Sequence, residues 1–74
     1  MINEIEKKVL KALNETDFND EDLFCGLTKE ELTGPMQRLA ALGLIKVVMV
    51  EGPIAVAAYI EPNGRAFLKS NNII

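Results

Sequence analysis

The sequence predicts an α+β domain in which three helices are followed by a β-hairpin and a short C-terminal helix. Three observations carry that expectation. Apolar residues recur at helical spacing as far as Leu42, whereas from Leu44 onward the chain runs to β-branched residues. Gly26, Gly43 and Gly52 fall between these stretches, where a chain needs residues free to adopt positive φ. With 74 residues, 49% of them apolar and 26% charged, the chain has material for one core and not for two. Residues 1–74 therefore form a single domain.

Residues 1–18 read as a first helix and a loop. Ile2, Ile5, Val9 and Leu13, supported by Leu10 and Ala12, make its inward face, and Glu4, Glu6, Lys7, Lys8 and Lys11 occupy the rest. Asn3 and Glu6 have the spacing of a reciprocal N-cap pair, and the polar run Asn14 to Asp17 ends the helix. Residues 19–43 hold the next two helices. Asn19 followed by Asp20, Glu21 and Asp22 supplies a cap and acidic first turn for a second helix over Asp20–Cys25, stopped by Gly26. Thr28 with Glu31 repeats the capping box and opens a third, Lys29–Leu42, whose inner side is Leu32, Met36, Leu39 and Leu42. Pro35 predicts a kink or break near Thr33 and Gly34, because proline cannot bond the carbonyl of Glu31 and collides with it. Residues 44–61 form the hairpin, with strands in Leu44–Val50 and Ile54–Ile60 and a turn at Glu51-Gly52-Pro53. In residues 62–74, Pro62-Asn63-Gly64 closes the second strand, Arg65–Lys69 makes a short helix, and Ser70-Asn71-Asn72 is a polar tail.

One cysteine and no histidine exclude much chemistry. Zinc sites of Cys and His, and nucleophiles activated by histidine, cannot be built within the chain. Cys25, close to Phe24 and Leu27, reads as a small buried hydrophobe. Asp20, Glu21 and Asp22 are consecutive and do not face one another on a helix, so they complement its dipole and make neither a metal site nor a catalytic pair. No enzyme, metal or cofactor is expected. No uncharged stretch approaches the ~20 residues of a membrane span, and the N-terminus lacks the basic-then-apolar order of a signal peptide. A cytoplasmic protein is expected.

Two segments carry a family resemblance. Leu39-Ala40-Ala41-Leu42-Gly43-Leu44-Ile45 resembles the LxxxGLI junction between recognition helix and wing in MarR-, ArsR- and PadR-like regulators. In it Leu39 and Leu42 would pack inward, Gly43 would take the positive-φ exit, and Leu44-Ile45 would enter the sheet. The run from Tyr59 to Leu68 is similar to the YxLTxxGRxxL segment that closes the wing in the same families. The resemblance covers roughly residues 19 to 69 and implies a winged helix-turn-helix fold and a small prokaryotic transcriptional regulator that binds duplex DNA as a homodimer. It makes Asp20–Cys25 the second helix and Lys29–Leu42 the recognition helix, with Lys29, Glu30, Thr33, Gly34, Gln37, Arg38 and Ala41 outward. Gln37 would then read an adenine edge, and Thr33 would meet a thymine methyl or a phosphate. Lys29 and Arg38 would hold phosphates, with Lys46 and Arg65 on flanking ones. The same residues also suit the solvated face of an amphipathic helix.

The charge pattern keeps a second reading open. The net charge is −3 and the isoelectric point about 4.8. Glu30 and Glu31 occupy the first turn of the recognition segment, the wing tip carries Glu51, and Lys46 is the one basic residue of the hairpin. Winged helices also serve as protein-interaction modules that bind no DNA. Strand alternation places Lys46, Val48 and Val50 together toward water and Ile45, Val47 and Met49 toward the helices. The outward valines predict self-association through Val48 and Val50. Alternatively, Lys46 snorkels from a buried face, or Ile73 and Ile74 fold back over the strip.

Overall fold

The structure, a computed structural model, describes residues 2–50, 52 and 54–74. Helix α1 spans Glu4–Glu15 and opens on the reciprocal cap its sequence predicts. The Glu6 amide donates to Asn3 Oδ1 at 2.8 Å and the Asn3 amide donates to Glu6 Oε1 at 2.9 Å. Val9, Leu10 and Leu13 are fully buried. The face differs from the predicted one at its first turn, where Ile5 is half exposed and Glu6 is buried. A carboxylate survives there because Asn3 and Arg38 both donate to it.

The chain then makes a strand the sequence did not announce. Strand β1, Phe18–Asn19, pairs antiparallel with a later strand, placing Phe18 opposite Ala58. The expected helix over Asp20–Cys25 does not form. In its place β2, Leu23–Phe24, and β3, Leu27–Thr28, make a tight hairpin. Asp20 at φ 49° and Cys25 at φ 48° are left-handed, which no α-helix accommodates, and Gly26 follows at φ 82°. Two successive positive φ values at Cys25-Gly26 suit a two-residue hairpin turn. So short a helix would bear the full nucleation cost for few bonds, whereas the hairpin drives Phe24 edge-on against Phe18, centroids 5.5 Å apart. Residues 19–43 therefore hold a hairpin and one helix, and the three helices of the fold are not consecutive.

Helix α2, Lys29–Ala41, starts on the second predicted box: Thr28 N–H donates to Glu31 Oε1 at 2.9 Å and Glu31 N–H to Thr28 Oγ1 at 3.3 Å. It runs unbroken through Pro35, which is buried with Leu32, Met36 and Leu39. The break expected at Thr33 is absent, and the Thr33 hydroxyl instead donates back to the Lys29 carbonyl at 3.0 Å. At the exit Gly43 adopts φ 77°, the Gly43 amide donates to Ala40 and the Leu44 amide to Leu39. These paired bonds are a Schellman motif, and Leu44 is the residue it buries. Leu42, expected inside, is 58% exposed because it is the cap residue and Leu44 takes the inward place.

Strands β4, Ile45–Val48, and β5, Ala57–Ile60, pair antiparallel from Ile45↔Ile60 to Val48↔Ala57. The sheet order is β1-β5-β4, so β4 is an edge. Ile45 is buried and Val47 half-buried, but Met49, expected on the same inner face, is exposed. Its strand pairing has ended at Val48, whose carbonyl accepts from Val56 N–H at 2.9 Å. Of the expected turn, Glu51 and Pro53 lie outside the described residues, and Gly52 has φ 70°.

Helix α3, Pro62–Ser70, begins earlier than predicted, since Pro62-Asn63-Gly64 is its first turn. Proline suits that position, having no amide to leave unpaired. Gly64 is buried against the α2 exit: a Cβ there would overlap the Leu44 carbonyl oxygen and lie 2.7 Å from Ile60 Cγ1. The same carbonyl accepts from Glu61 N–H at 3.0 Å, so the two segments of the family resemblance meet at Leu44. At the other end Asn72 at φ 56° forms a second Schellman exit, and Ile73 packs on the core.

Candidate functional site

The outward side of α2 carries the residues singled out from sequence, and the rest of the fold treats them unequally. Lys29 enters the helix beside the loop that replaced the expected helix. Its ammonium is paired with the Asp20 carboxylate, which holds the lysine pKa above its ordinary value, and Asp22 and Glu30 add negative charge nearby. With Glu31 also exposed, the first turn of α2 is surrounded by acids. A phosphate would be repelled there.

Farther along α2 the setting changes. Thr33 and Gln37 lie one turn apart on one row, Gly34 and Arg38 on the next. Gln37 is exposed, and Thr33 is half-buried with its hydroxyl engaged by the Lys29 carbonyl. Arg38 Nε donates to Glu6 Oε2, and the pair is lopsided: the arginine side chain is 56% exposed and the glutamate 6%. The bond from Arg38, with that from the Asn3 amide, holds the Glu6 carboxyl below its ordinary range against the opposing effect of burial. The guanidinium lies back over Gly34, where a Cβ would stand 3.4 Å from Nη1 and 3.8 Å from Nη2. Glu6 is the member of this arrangement that the sequence reading missed, because helical periodicity alone assigned it to solvent. The legible signal was its place in the Asn3 capping pair, which ties the carboxylate to the helix end.

Lys46 and Arg65 are exposed and lie within two residues of the Leu44–Gly64 contact. Lys46 stands opposite Tyr59 across β4–β5. Along β4 and just past its end Val48 is 38% and Val50 73% exposed, with Met49 and, on the neighbouring β5, Tyr59 exposed as well. A groove of about 300 Å³ between the start of α1 and the end of α3 is lined by Ile2, Glu4, Lys7, Phe67, Asn71 and Ile73. It shares no residue with the α2 face. Ile73 thus packs beside Ile2 and Phe67 instead of covering the valines. Cys25 is half-buried at the β2–β3 turn, and burial pushes its thiol pKa up, away from reactivity.

Among the described residues no helix is long and apolar enough to cross a membrane, and no three side chains of metal-ligand type cluster. No protein-family model, curated protein or solved structure matches the chain.

Proposed function

We propose that the chain is a small winged-helix DNA-binding regulator that meets duplex DNA through the middle and C-terminal half of α2. The observation that carries this reading is the exposed Gln37 and Arg38, on adjacent rows of α2 with the half-buried Thr33 one turn before Gln37, on a helix whose opposite face is buried. Support comes also from the sheet order β1-β5-β4 and from α2 leading through Gly43 into β4 and β5, the strands that this reading takes as the wing. Arg38 supplies the phosphate contact, Gln37 the base edge and Thr33 a thymine methyl, while Lys46 and Arg65 reach flanking phosphates. Lys29, held by Asp20, contributes less than its position in the helix suggests. Net charge −3 restricts the interaction to this patch and makes it weak and salt-sensitive. Fluorescence anisotropy of a labelled duplex at low and moderate salt tests it: binding that weakens as salt rises is expected. No binding at low salt, or binding indifferent to salt, sinks the reading.

A second reading rests on a separate observation, the exposed Val48 on the edge strand β4, Val50 just beyond its end and Tyr59 on the neighbouring β5. It makes the hairpin a protein-interaction surface, with a second copy of the chain as the expected partner in a homodimer. Sedimentation equilibrium of wild type and of the V48K/V50E variant tests it. A wild-type dimer and a folded monomeric variant are expected, and a wild-type monomer at high micromolar concentration refutes it.

A further inference from the structure

Among the described residues Glu6 is the one charged side chain in the buried set, and an isolated buried carboxylate is costly to keep. Its two oxygens divide their work. Oε1 accepts from the Asn3 amide and completes the cap of α1, while Oε2 accepts from Arg38 Nε on a different helix. The cap accounts for one oxygen only. The other reaches a guanidinium more than half exposed. Binding Nε leaves the two terminal nitrogens to donate elsewhere, and the bare Cα of Gly34 leaves them room along the helix surface.

We propose that Glu6 is a positioning residue for Arg38, holding its guanidinium over Gly34 so that the terminal nitrogens face a phosphate or a base edge of bound DNA. The inference deepens the DNA-binding reading and rests on it. A free arginine loses much rotamer freedom when it binds, and a side chain already held by Nε loses less. The carboxylate also subtracts positive charge from the patch, which opposes binding. The two effects predict opposite signs when Glu6 is neutralised, and the positioning effect is the larger.

Glu6→Gln separates cap from positioning. Its amide oxygen can still accept from the Asn3 amide, while its NH₂ group cannot accept from Arg38 Nε. Anisotropy with a labelled duplex at fixed low salt is the measurement, run on wild type, E6Q, R38Q, the double variant and R38K, with circular dichroism melts confirming that each folds. E6Q is expected to bind about tenfold more weakly, in the range of one lost arginine contact, and to add nothing further to R38Q. R38K leaves Glu6 untouched and keeps the charge, yet lacks the fork, so it should fall with E6Q. E6Q or R38K binding as tightly as wild type, or E6Q more tightly, overturns the positioning role and leaves DNA binding standing. Absent wild-type binding overturns both.

Discussion

Helices α1 and α2 begin with the same device and use it differently. Asn3 with Glu6 and Thr28 with Glu31 each form a complete capping box, with side chain and amide satisfied in both directions. At α2 the glutamate is exposed, and its box is a local affair of one helix end. At α1 the glutamate is buried and its second oxygen crosses to Arg38, so the box is also a tertiary contact between the two helices. One sequence pattern therefore performs a local task in one place and a long-range one in another. What decides is whether a partner of opposite charge stands across the interface.

The two glutamates should differ most in what their removal costs. Glu6→Ala should lower the urea midpoint well below that of Glu31→Ala: each substitution removes the one cap bond its carboxylate accepts, but only Glu6→Ala also leaves Arg38 without its carboxylate. Equal losses from the two variants would reduce the α1 box to a local feature. The cap residues themselves should behave alike: Asn3→Ala and Thr28→Ala should each cost about 1 kcal/mol of unfolding free energy, measured by the same titration. A much larger loss for Asn3→Ala would mean that it, too, holds the Glu6–Arg38 pair.

The smallest effect is in the pH dependence. Glu6 binds a proton less readily folded than unfolded, so its contribution is complete above the ordinary carboxylate value of 4.5 and is lost as pH falls through its lowered value. Stability of wild type and E6Q, followed by thermal melts from pH 7 downward, should therefore converge as the pH falls through that lowered value. A constant gap down to the most acid conditions would contradict the assignment.

A third cap-like pattern shows where reading from sequence fails. Asn19-Asp20-Glu21-Asp22 has the residues of a helix start as good as the other two, yet it leads into a left-handed Asp20 and a hairpin. No apolar face of helical length follows it, and Phe24 gains more by packing on Phe18 than a single turn of helix would return. Strand β1 was illegible for the related reason that two residues have no period of their own; Phe18-Asn19 is a strand because β5 lies beside it. The α2 face was legible in position, from the spacing of Leu32, Met36 and Leu39. Its electrostatics were not, since Asp20 and Glu6 reach Lys29 and Arg38 from other elements.

By itself the sequence determined the two capped helices, the Gly43 exit and the change of period at Leu44, because each depends on residues a few positions apart whose backbone preferences and hydrogen bonds act locally. The tertiary structure alone decided that residues 20–28 turn back as a hairpin, that Gly64 must be bare where the Leu44 carbonyl docks, and that Glu6 is buried beside Arg38. Those outcomes depend on which elements touch. A contact between residues distant in the chain leaves no periodic trace in either of the segments that make it.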